Sequence, residues 1–102
     1  MRTVEEIRAM STRVYELWGA DRPYSRDAEL ERSYLYAAWS VLSAAARDGA
    51  SDDKIRASLA AMPDTARTTD ELRSAQGFAS ACRWLLGGAA PVDEHGRKLV
   101  AA

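Results

Sequence analysis

The chain has 102 residues, of which 47% are hydrophobic and 28% charged, with a formal net charge of -1. That is room for one domain with a real core and not for two, and the near-neutral balance gives no bulk attraction to nucleic acid or to an anionic membrane. One cysteine, Cys82, excludes an intrachain disulfide and a cysteine-built metal cluster.

The N-terminus, "MRTVEEIRAM", mixes acidic and basic residues and lacks the apolar run of a secretory leader. No stretch is long and apolar enough for a membrane span. With a lone cysteine that reads as a small buried hydrophobe of a reducing compartment, the expectation is a cytoplasmic protein. Only Lys54 and Lys98 are lysines among the basic residues, and alanine is abundant. Such a bias accompanies GC-rich coding and points to a bacterium or one of its phages.

The first helix is expected over residues 4–18. Thr3 and Glu6 have capping-box spacing. Val4, Ile7, Met10, Val14 and Leu17 make one apolar stripe. Gly19 offers a left-handed stop, and Pro23 biases Arg22 away from helix. The second helix, residues 26–48, follows Ser25 as N-cap, with Asp27 and Glu29 suiting the positive end of its dipole. Placed at about 100° per residue, Leu30, Tyr34, Leu35, Ala37, Ala38, Val41, Leu42, Ala45 and Ala46 fill one arc. It is too broad for a surface helix, so this helix is central. Tyr34 belongs to that core. Tyr36 falls on the opposite side, and Trp39 on the border beside Arg32 and Ser43.

Gly49 ends the second helix, and Ser51 caps a third over residues 52–62, which carries Ile55, Leu59 and Met62 and stops at Pro63; "DTAR" follows as loop. The fourth, residues 69–86, begins behind Thr68 with Glu71 as a second capping box. Leu72, Ala75, Phe78, Ala79, Cys82, Leu85 and Leu86 form its main apolar face, and Gly87 and Gly88 stop it. The predicted fold is thus all-α, a compact four-helix bundle-like domain over residues 1–88. The C-terminal tail, residues 89–102, is irregular, extended or flexible, with Val92, Leu99 and Val100 as the residues able to dock.

Two surfaces stand out as partner-binding. One is the strip Arg32, Tyr36, Trp39 and Ser43, whose residue types dominate binding hot spots. The other is the small-residue face of the fourth helix, Ser74, Gly77, Ala81 and Trp84. There Gly77 costs about 1 kcal/mol of helix propensity relative to alanine and so implies the close approach of another backbone. A third pattern concerns nucleic acid. Ala45, Gly49, Ser51 and Ile55 have spacings like those of DNA-binding helix-turn-helix units. However, Asp52 and Asp53 stand where phosphates would be met, and Asp48 takes the place of an apolar turn residue. An ordinary helical hairpin fits better.

His95 has no second histidine and Cys82 faces apolar surroundings, so neither is a catalytic or metal candidate. "LGGAAP" follows a helix and presents carbonyls, the wrong groups for phosphate. The acidic clusters Glu5-Glu6, Asp27 with Glu29, Asp52-Asp53 and Asp70-Glu71 all sit in first helical turns, where dipole complementarity accounts for them. The expected function is therefore a non-enzymatic protein–protein interaction module without cofactor or metal: a regulator, adaptor or inhibitor that binds another protein or a second copy of itself. The alternative is a DNA-binding regulator built on the hairpin around Gly49.

Overall fold

The structure, a computed structural model, describes residues 1–62 and 67–99. Pro63, most of "DTAR" and Val100 lie outside the described residues. The fold is all-α. Four helices follow in order: α1 (Val4–Gly19), α2 (Arg26–Asp48), α3 (Asp52–Ala60) and α4 (Thr69–Leu85). No helix among the described residues is long and apolar enough to cross a membrane.

Local chemistry sets most boundaries. At α1, Thr3 accepts from the Glu6 N–H while Glu6 accepts from the Thr3 N–H, a complete capping box. Ser25 and Ser51 cap α2 and α3 by accepting from Ala28 and Lys54. Thr68 accepts from the Glu71 N–H, but the Glu71 carboxylate reaches one residue further back, to the Arg67 N–H at 2.6 Å, so the expected second capping box is only half made. Gly49, with φ of 78°, ends α2. At the end of α4 the Gly87 N–H bonds to the Trp84 carbonyl and the Gly88 N–H to the Arg83 carbonyl. With φ of 102° at Gly87, this is a Schellman stop that satisfies two free carbonyls. Gly19 behaves differently from expectation: it closes α1 inside the helix, and the chain leaves through extended Ala20.

α2 is the axis of the domain, packed along one side by α1 and along another by α4. Val14, Tyr34, Leu35, Ala38, Leu42, Ala81, Cys82 and Leu85 are essentially solvent-free. α3 contributes only Ile55 to this core.

α4 is buried on two faces, and Ala79, Cys82 and Leu85 of the expected apolar face lie inside. Its small-residue face looks inward, while Leu72, assigned to the apolar face, is 47% exposed. The cause is Gly77. A Cβ there would lie 2.1 Å from the backbone oxygen of Tyr34, so the backbones of α2 and α4 touch at this point, and only glycine lets them.

The tail docks through Val92, one of the residues expected to be able to. Pro91 and Val92 are buried, and Val92 pairs with Lys98 as an isolated antiparallel bridge. The Asp93 carboxylate accepts from the His95 and Arg97 N–H groups, both at 2.9 Å, and the bonds to its neighbours' backbone, Arg97 first, hold its pKa below the usual carboxylate value. Gly96, with φ of 78°, makes the turn and rests on Leu17. Arg13 of α1 ties the turn down through the Asp93 and Glu94 carbonyls, at 2.8 and 2.7 Å. Residues 91–99 are therefore a clasp over α1 and α2.

Tyr34 links core and clasp. Its hydroxyl bonds to Ser80 at 2.8 Å and to the Pro91 carbonyl at 3.1 Å. Burial pushes its pKa upward, so the phenol keeps its proton and can donate. Tyr34→Phe leaves the Pro91 carbonyl with the Leu99 N–H alone and removes the bond to the Ser80 hydroxyl, and should cost about 1–2 kcal/mol. Faster amide hydrogen exchange at Leu99, whose N–H bonds to the Pro91 carbonyl, would mark the loosened clasp, while α1 amides keep their protection.

Candidate functional site

The inner faces of α1 and α2 are consumed by the core. What remains on the outer side of their groove is aromatic. Residues three apart on a helix are surface neighbours, and each of these helices carries such a pair: Tyr15 with Trp18, and Tyr36 with Trp39. The helices run antiparallel, so the pairs meet head to tail. Ring centroids lie 5.8 Å apart from Tyr15 to Trp18, 6.0 Å from Trp18 to Tyr36, 5.9 Å from Tyr36 to Trp39 and 5.6 Å from Trp39 back to Tyr15. The four rings form a closed circuit. Tilts of 35–48° between neighbours keep negative faces away from negative faces, which makes such contacts attractive.

The quartet surrounds a hollow of about 240 Å³ lined by these four residues. Tyr15 is 51% and Tyr36 53% exposed, while Trp18 and Trp39 are half-buried against the core. At one end the Arg32 guanidinium lies 5.0 Å from the Trp18 ring centroid, a cation–π contact. At the other end the groove continues into a second hollow of about 440 Å³, lined by Arg8, Ser11, Thr12, Ser43, Ala46 and Arg47. Ser11 is buried there and Ser43 bonds back to the Ser40 carbonyl. Arg47 donates twice to Asp48, at 3.1 Å each.

Four of the six residues expected to bind a partner, Arg32, Tyr36, Trp39 and Ser43, thus share one strip. The other two do not. Gly77 is buried against Tyr34, as described above, and Trp84 is 6% exposed. Arg2 folds over the Trp84 ring at 4.8 Å while its guanidinium donates to the Trp84 and Gly88 carbonyls at 2.9 and 3.0 Å. The cation thereby also meets the negative end of α4. The close backbone contact implied by Gly77 is real, but it is made within the chain.

Tyr15 and Trp18, the α1 half of the quartet, are not among the residues expected from the sequence. The signal was a repeated Tyr-x-x-Trp, in "YELW" and "YAAW", one copy on each helix of an antiparallel pair.

The remaining candidates stay apart from this face. Cys82 is fully buried and burial pushes its thiol pKa up, which disfavours the reactive thiolate. His95 sits exposed on the clasp, 3.4 Å from the Glu94 carboxylate. Among the described residues no three of histidine, cysteine, aspartate or glutamate converge as metal ligands would. In the α2–α3 hairpin Ala45 and Ile55 are buried and Gly49 makes the turn, but Asp52 and Asp53 stand exposed at the start of α3. No protein-family model matches the chain, and comparison with curated proteins and with solved structures gives no significant match.

Proposed function

We propose that this chain is a non-enzymatic interaction module that works in the cytoplasm as a regulator, adaptor or inhibitor. It docks another protein on the outer face of α1 and α2. The observation that carries the reading is the four-ring circuit. Tyrosine and tryptophan give large contact area for little lost side-chain freedom, which is why they dominate binding hot spots. Here four of them are held by packing beneath while their edges and their hollow stay open. An aromatic cluster needed only for stability would be covered, as Trp84 is. The helix-turn-helix alternative gains nothing from α3, whose first turn carries two carboxylates where phosphate contacts require cations.

A two-hybrid screen of genomic fragments from the source organism tests the proposal. The wild-type bait should recover a specific prey that is lost with Tyr36→Ser plus Trp39→Ser, with circular dichroism verifying that the double variant keeps its helices. Prey that the double variant retains, or no prey at all, contradicts the reading. Recovery of this chain itself would make the occupant a second copy.

A further inference from the structure

We propose that the partner brings an acidic segment to this face: a bulky apolar anchor, aromatic or proline, seated in the ring hollow, and carboxylates reaching the arginine-lined hollow beside it. The inference rests on reading the face as a protein-docking surface.

The groove is bipartite. Its apolar hollow has rings for walls, with Arg32 over Trp18 at one end and Arg8 and Arg47, the latter paired with Asp48, lining the neighbouring hollow. Arg47 is already paired with Asp48 through two hydrogen bonds. Arg8 and Arg32 make no hydrogen bond or ion pair among the described residues. Two guanidinium groups without a carboxylate partner thus stand along the groove, Arg32 stacked on the Trp18 wall of the ring hollow and Arg8 in the neighbouring hollow, and guanidinium is the side chain that recognises carboxylate by paired hydrogen bonds. At 1.5 Å of rise per helical residue the two hollows are about 10 Å apart along the groove. An extended peptide covers that distance in about three residues, so anchor and carboxylates fit within one short segment.

Charge disfavours the other occupants. A second copy seated with two-fold symmetry on this hollow has its axis in the plane of the interface. With the axis along the helices, the Arg8–Arg47 end meets itself. With the axis across them, it meets the Arg32 end. With either of those two axes guanidinium faces guanidinium. A cationic ligand in the ring hollow would be repelled by the cation already stacked on Trp18. A nucleic-acid strand would need a continuous cationic track beside the rings, whereas Arg47 is answered by Asp48 and the chain carries a net charge of -1.

Selection from a phage-displayed library of random peptides about 12 residues long tests this, with wild-type protein, Tyr36→Ser/Trp39→Ser and Arg8→Glu/Arg32→Glu as targets. The wild type should enrich peptides with more Asp and Glu than Lys and Arg, and with Trp, Phe or Pro about three positions from the acidic cluster. Their synthetic versions should bind the charge-reversed variant at least tenfold or so more weakly and fail to bind the aromatic variant. Enriched peptides that are neutral or basic yet still need Tyr36 and Trp39 overturn the acidic partner and leave the docking face standing. Peptides indifferent to Tyr36 and Trp39, or no enrichment, overturn both. Binding of oligo-thymidylate that depends on Trp39 would replace a protein partner with a nucleic acid.

Discussion

Gly77→Ala should lower the thermal midpoint by roughly 10 °C or more, taking about 4–8 °C per kcal/mol for a domain of this size. Two effects oppose each other. Alanine gains about 1 kcal/mol of helix propensity over glycine. Against that, the new methyl would stand 2.1 Å from the Tyr34 carbonyl oxygen, less than any real carbon–oxygen contact. The obstacle is backbone, so α2 and α4 must separate along the contact that buries Leu35, Ala38, Ala81 and Cys82. Overpacking of that kind costs about 1–3 kcal/mol even when side chains alone must move, and here the price includes the core around it. Gly19→Ala is the matching control. It lies in α1, no atom stands within 4 Å of its added Cβ, and its φ is not positive, so only the propensity gain remains and the midpoint should hold or rise slightly. Thermal melts by circular dichroism decide. A Gly77→Ala variant as stable as wild type would mean that α2 and α4 do not meet backbone to backbone.

Trp84→Ala should cost about 3–5 kcal/mol, the range for truncating a buried tryptophan. The ring is nearly solvent-free, and its loss strands Arg2, which stacks on it and bonds to the carbonyls at the end of α4. Trp39→Ala should cost less, since its ring is only partly buried against the core and what is lost is chiefly two tilted ring contacts of about 0.5–1.5 kcal/mol each. Urea unfolding of both variants measures the difference. Equal costs would contradict the division between a tryptophan that serves the fold and one that serves a partner.

Much of the fold was legible because it is written in short-range chemistry. Thr3, Ser25, Ser51 and Thr68 announce helix starts, Gly49 and Gly87 announce stops, and the broad arc on α2 announces a helix with neighbours on two sides. What was not legible depends on distant backbone. The burial of the small-residue face of α4 follows from how near Tyr34 comes to Gly77. Counting apolar side chains favoured the Leu72 side, and no count includes the gain from bringing two backbones together. The clasp depends on the pairing of Val92 with Lys98 and on Arg13, some 80 residues earlier in the chain. The site was half legible. A helical wheel puts Arg32, Tyr36, Trp39 and Ser43 on one strip of α2, but the same wheel treats Tyr15 and Trp18 as residues beside the α1 stripe. Only the antiparallel register of α1 on α2 turns two ordinary pairs into a circuit.

The three tryptophans provide the most direct test of that circuit as the docking surface. Two belong to it and the third, Trp84, is buried under Arg2. In a ¹H–¹⁵N spectrum their indole N–H signals report separately. Titration with a prey fragment should shift or broaden the signals of Trp18 and Trp39 while that of Trp84 stays in place. A fragment that binds while leaving Trp18 and Trp39 unmoved would place the partner elsewhere and contradict the account.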